Sequence, residues 1–111
     1  MKVHFTGRHV ELTQALKILA QERLDKMASF LDDIIDVHVI LSVEKHRHQA
    51  EVTLKTRSHS FVASTETMDM YKSLGEAMDK LEAQAHKQLQ KRSDKHHESA
   101  KQALLAAEAE S

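Results

Sequence analysis

The chain has no cysteine, only two glycines, and only one tyrosine and three phenylalanines. Without thiols, disulfides and thiolate chemistry are excluded, a composition that suits a reducing cytosol. With glycine confined to Gly7 and Gly75, the glycine-rich loops that cradle phosphates in Walker or Rossmann sites are absent. Neither HExxH nor G-x-S-x-G occurs, so the chain is not expected to be an enzyme. No apolar run approaches the ~20 residues needed to cross a bilayer. The opening MKVHFTGRH lacks the apolar core of a signal peptide, and the expectation is a soluble, cytoplasmic protein. Phe5, Phe30 and Phe61 all fall at apolar positions of their segments, which argues against single-strand recognition by base stacking.

What the chain does have is charge in a particular arrangement. Its 111 residues are enough for one two-layer domain and too few for a second core. Lys and Arg number 16 against 17 Asp and Glu, so the pI alone would not flag a nucleic-acid binder. Between Lys80 and His97, however, Lys80, Lys87, Lys91, Arg92 and Lys95 face only Glu82 and Asp94, with His86, His96 and His97 in addition. The stretch from Glu66 to Arg92 therefore carries two stripes. Tyr71, Leu74, Met78, Leu81 and Ala85 recur at helical spacing as a packing face; Lys80, Gln84, Lys87 and Lys91 run beside them. A lysine run on a helix is usually a solvated face. Here the scarcity of acids one turn away gives a binding role equal weight.

The remaining segments read as a platform. Val3 and Phe5 alternate with Lys2, His4 and Thr6 as a half-buried strand that Gly7 is expected to end. Thr13 is placed to cap a helix from about Gln14 to Leu31, in which Leu16, Ala20, Leu24, Met27 and Leu31 form the apolar stripe. Arg23 and Lys26 lie together on its flank, and Asp32-Asp33 marks its exit. Two further strands alternate through Val37–Val43 and Ala50–Leu54 around a reversal at residues 45–48, and a last one covers about Ser60–Ser64. A second helix is expected from about Thr67 past Lys91, with Gly75 costing it about 1 kcal/mol relative to alanine. The expected fold is α+β, in the order β-α-β-β-β-α: a four-stranded mixed sheet, first pair parallel and the others antiparallel, with both helices packed on one face. Residues 1–97 would form the single domain, and the alanine-rich 98–111 a mobile or helical tail.

Two other readings of the residues stay open. Nine histidines raise a His-rich, metal-dependent regulatory domain, with His46 and His48 beside a hairpin turn. Neither that pair nor His96-His97 brings a third ligand at short range, and solvated histidines are the plainer account. Helix, three strands, helix is also the element order of a double-stranded-RNA-binding domain, which reads A-form shape through phosphates and 2′-hydroxyls.

The motifs are more specific than the element order. T-G at Thr6-Gly7, V-E-L-T at Val10–Thr13, R-L-D-K-M at Arg23–Met27, V-E-K at Val43–Lys45, D-M-Y at Asp69–Tyr71 and D-K-L-x-x-Q-x-x-K at Asp79–Lys87 resemble the ribosome hibernation promoting factor and ribosome-associated inhibitor family. The likeness covers residues 1 to 92 without a gap. It implies a bacterial protein that binds the small (30S) ribosomal subunit in stationary phase or stress, sits in the channel of mRNA and the A- and P-site tRNAs, and inhibits translation. It also implies 16S rRNA contacts through Arg23, Lys26, Lys80, Gln84 and Lys87, continued by Lys91 and Arg92. No metal, cofactor, membrane or DNA belongs to this reading, and a short form would promote ribosome dimers only with a dimerising partner factor. Two positions depart from the family pattern: Gly75 stands where an acid is usual and Ala83 where an arginine is common.

Overall fold

A computed structural model describes residues 1–93, and the side chains of residues 1–89. The elements follow in the expected order: β1 (Lys2–Arg8), α1 (Gln14–Ala28), β2 (Ile34–Glu44), β3 (Arg47–Thr56), β4 (Ser60–Thr67) and α2 (Met70–Ser93). The sheet order is β1-β2-β3-β4, with β1 parallel to β2 and the other neighbours antiparallel. The parallel pair is possible because α1 is the crossover between its strands, and the other two connections are short reversals.

Alternation along the strands decides which face is covered. Val37, Val39 and Leu41 of β2 pair with Leu54, Val52 and Ala50 of β3, and all six are fully buried. Phe61 and Ala63 of β4 and the partly buried Val3 and Phe5 of β1 extend the same layer to both edges. The opposite face is mostly polar: His4, His38 and Thr53 share a row that ends on the exposed Val62, and Lys2, Asp36, Lys55 and Ser60 form another. With one apolar face, both helices pack on that side. From α1 they contribute Leu16, Ala20, Leu24 and Met27; from α2, Met70, Leu74, Ala77, Met78, Leu81 and Ala85. α2 lies over β3 and β4 and α1 beside it.

Caps and turns explain the boundaries. Thr13 Oγ1 accepts the Leu16 N–H at 3.2 Å, as its position before the apolar stripe requires. α1 ends at Ala28, three residues sooner than periodicity suggests. Leu31 is nevertheless buried, because the chain folds back there, with Leu31 N–H on the Met27 carbonyl and Asp33 in the left-handed region at φ 64°. α2 starts at Met70 instead of Thr67: Asp69, just before it, accepts the Tyr71 N–H through Oδ1 at 3.3 Å and the Ser73 N–H through its carbonyl at 2.9 Å.

The two glycines differ. Gly7 does not end β1 but lies within it, opposite Leu41, and a Cβ there would stand 2.6 Å from the Val10 carbonyl oxygen. The chain leaving β1 folds over this residue, with His9 at φ 59°, and only glycine fits beneath it. Gly75 sits in an unbroken helix with nothing within 4 Å of a built Cβ, so close backbone approach does not account for it.

Candidate nucleic-acid interface

Three contacts set the two helices in register. Arg23 Nη2 donates to Asp79 Oδ1, Lys26 Nζ lies 3.6 Å from Glu82 Oε1, and Phe30 stacks on His86 with ring centroids 4.1 Å apart. An offset of 56 residues recurs in all three, so the helices run parallel and Arg23, Lys26 and Phe30 meet Asp79, Glu82 and His86 in step. This follows from the topology, since β1 and β4 both run with β2 and each helix returns antiparallel to the strand before it.

The cleft between the helices is thus electrically filled. Arg23 also lies 3.8 Å from Glu82 Oε2. Its side chain is 23% exposed and that of Glu82 17%, whereas Asp79 and Lys26 are about two-thirds exposed. Two cations face two carboxylates here. The basic residues of the two helices therefore do not line an open groove; an ion-pair cluster fills the cleft. Acids on α2 point sideways into α1, which helical spacing along α2 alone does not reveal.

Lys80 and Lys87 project differently. At about 100° per residue they fall on the outward side of α2, away from both the core stripe and the flank that meets α1. Neither has an ion pair among the described residues. Gln84 sits toward the other flank, where Nε2 donates to the Val62 carbonyl of edge strand β4 at 2.8 Å. Its amide N–H groups therefore hold the helix to the sheet edge. Ala83 is exposed on the outward ridge between the Lys80/Lys87 row and the Arg23/Lys26 cluster. Lys91 and Arg92 occupy the last turn of α2, but their side chains lie outside the described part, as do residues 98–111.

Some side chains are not where the sequence places them. Tyr71, assigned to the packing stripe, is 48% exposed, and Ala77, which was not assigned to it, is buried. By the 56-residue offset Tyr71 is level with Ala15, in the first turn of α1, where a small exposed residue leaves it uncovered. Sequence reading missed Ser73, a fully buried polar residue. Its Oγ donates to the His48 carbonyl at 2.6 Å and lies 2.6 Å from Thr67 Oγ1, while its own carbonyl accepts from Thr65 Oγ1. This network fastens the start of α2 to β3 and β4. Signal for it existed only in the Thr65-x-Thr67 alternation, which reads as ordinary strand.

The histidines do not assemble. His46 is in the β2–β3 turn and His48 in β3, so strand alternation does not bring them together, and among the described residues no group of three or more potential ligands could hold a metal ion. His4 and Asp36 pair at 3.2 Å and His38 shares a 2.8 Å hydrogen bond with Thr6 on the open face of the sheet.

Comparison with known proteins agrees with this fold. The chain is 38% identical over 91 residues to the ribosome hibernation promoting factor of Pseudomonas putida, covering 82% of this chain and 89% of that one. With the ribosome hibernation promoting factor of Escherichia coli K12 it shares 36% identity over 87 residues, 78% and 92% of the two chains. A ribosomal subunit interface protein from Coxiella burnetii superposes with a TM-score of 0.72 at 30% identity, over 78% of this chain and 96% of that one. The Thermus thermophilus Protein Y N-terminal domain, 24% identical with a TM-score of 0.71 over 77% of this chain and 96% of that one, shares the fold. Residues 3–93 match the Sigma 54 modulation protein / S30EA ribosomal protein family, and the chain belongs to it.

Proposed function

We propose that this protein is a ribosome hibernation factor of the cytoplasm: it binds the small ribosomal subunit in the channel used by mRNA and tRNA, holds 16S rRNA through phosphates, and inhibits translation in stationary phase or stress. Catalysis plays no part. The observation that carries this reading is the outward row of Lys80 and Lys87, which make no ion pair among the described residues, on a helix anchored by the core and by Gln84. Unneutralised cations on a rigid element suit the phosphate backbone of folded RNA, and the one tyrosine and three phenylalanines do not supply a stacking platform. Arg23, Lys26, Gln84, Lys91 and Arg92 complete the proposed contact surface.

Residues 1–97 are the proposed binding domain. The segment from Glu98 to Ser111 carries three acids and one lysine and would be repelled by rRNA, so truncation after His97 should leave small-subunit affinity nearly unchanged. Pairing of ribosomes would then need a dimerising partner factor. Sedimentation of extracts from starved cells through sucrose tests the central claim. The protein is expected with small subunits and whole ribosomes, and with about five phosphates engaged the log affinity should fall with log salt at a slope near about −3.5 to −4.5. Protein left at the top of the gradient would refute ribosome binding.

A further inference from the structure

Glu82 is a poorly satisfied charge between the two helices. Its side chain is mostly buried, Oε1 accepts no hydrogen bond, and its cationic neighbours, Arg23 Nη2 at 3.8 Å and Lys26 Nζ at 3.6 Å, are beyond hydrogen-bond reach. Asp79, more exposed, takes the direct bond from Arg23. Loosely held ion pairs of this kind are weak evidence for stability, because desolvation of a carboxylate offsets most of the Coulomb gain. The same carboxylates neutralise the charge that Arg23 and Lys26 would otherwise offer to a phosphate, and Asp79 already holds the guanidinium donor that one would take.

We propose that Asp79 and Glu82 are an internal counter-anion for Arg23 and Lys26 that RNA phosphates must displace, so that the pair sets the discrimination between its proper RNA surface and RNA in general. This rests on the RNA-binding reading above and deepens it. In the free protein the cluster has no net formal charge, and an isolated phosphate approaching it meets two carboxylates first. Displacement is most favourable when a folded RNA surface presents adjacent phosphates to Arg23 and Lys26 together while Lys80 and Lys87 are already engaged, and only partly so on an arbitrary duplex, whose regular backbone is not shaped to meet both pairs at once. A flexible or poorly matched strand gains Lys80 and Lys87 only. Arg23 suits this exchange, because a planar guanidinium accepts carboxylate or phosphate in the same fork geometry.

The test compares the full chain with Glu82→Gln, Asp79→Asn and the double variant on two probes: a short RNA duplex of arbitrary sequence, and purified small subunits. Both substitutions keep shape and remove charge. For the duplex, the double variant should bind about three- to tenfold tighter at about 0.1 M salt, with a salt slope steeper by about 1 to 2, as newly available cations each release counterions. Small-subunit affinity should rise less, so the ratio between the two probes falls, with binding compared at a temperature where every variant is folded. Unchanged duplex affinity and slope in a folded variant would overturn the inference. Weaker binding at unchanged stability would also overturn it, because the acids would then be aiming Arg23 and not competing for it. Should the variants fail to fold, side-chain carboxyl carbon shifts of Asp79 and Glu82 in the unaltered protein decide: both should move on duplex addition, and stationary signals at saturation count against displacement. Wild-type sedimentation is read separately. If no variant binds subunits while duplex binding responds as described, the ribosomal assignment fails and the counter-anion stands.

Discussion

Two basic clusters lie on the same helical layer, on different sides of α2, and they are not equivalent. Lys80 and Lys87 point outward without ion pairs among the described residues; Arg23 and Lys26 point into the cleft and are matched by Asp79 and Glu82. The first cluster can spend its full charge on a ligand. On the proposed reading the second would have to exchange one anion for another, so its net contribution to binding should be smaller and its contribution to holding α1 on α2 larger. Counting basic residues therefore overstates this surface. What matters is which of them already have a partner.

The largest expected effect would break this contrast on the outward side. Replacing Lys80, Lys87 and Lys91 together with Ala should weaken small-subunit binding about a hundredfold and flatten the salt slope by about 2 to 3, on the basis of roughly one phosphate contact and about 1 kcal/mol each. Stability should stay within about 0.5 kcal/mol, as exposed substitutions usually do. Wild-type affinity in the triple variant would move the site elsewhere, with the open sheet face around Lys55 and Arg57 next to be tried.

On the cleft side the weight should fall on stability. Arg23→Ala leaves Glu82 with only its 3.6 Å contact to Lys26 and Asp79 with no partner, and should cost about 1–2 kcal/mol in urea denaturation. Its effect on subunit binding should be well below that of the lysine triple variant. A hundredfold loss of binding at full stability would show that the two clusters work alike.

Ala83 offers a smaller, sharpening change. It is exposed between the clusters, and Ala83→Arg should tighten binding about three- to tenfold and steepen the salt slope by about 0.7–0.9, one added phosphate contact. No gain would mean that the RNA backbone does not pass over this ridge. Smallest of all, Gly75→Ala should raise stability by about 0.5–1 kcal/mol, because the helix is continuous there and the added methyl meets nothing. Binding should not change; a loss would point to bending of α2 on the ribosome.

Much of the fold was legible because strand alternation and helix spacing are local. Val37–Leu41 against Ala50–Leu54, Leu16–Leu24 on α1 and Leu74–Ala85 on α2 all place their apolar residues as periodicity requires. Misreadings occur where a cap or a neighbour intervenes. Asp69 starts α2 at Met70, and Tyr71, on the intended stripe, runs past the first turn of α1 with little to cover it. Gly7 looked like a strand end because glycine usually punctuates, yet it is kept for the Val10 carbonyl that crosses above it. Ser73 carries no apolar signal in the helical pattern, yet it is the buried link to β3 and β4.

For the candidate site the division is similar. Helical spacing along α2 was enough to put Lys80 and Lys87 on one outward row, since both lie within three turns of one helix. It was also enough to bring Arg23 next to Lys26 on α1. The sequence could not say that Arg23 and Lys26 would be answered by Asp79 and Glu82, or that Gln84 would turn to the Val62 carbonyl, because those partners are separated by 56 and 22 residues and meet only when the parallel helices settle on one sheet face. Residue type and periodicity determine where a charge projects from its own element. Whether that charge is free to act is decided by the Coulomb field of neighbours that only the tertiary fold brings within a few ångströms.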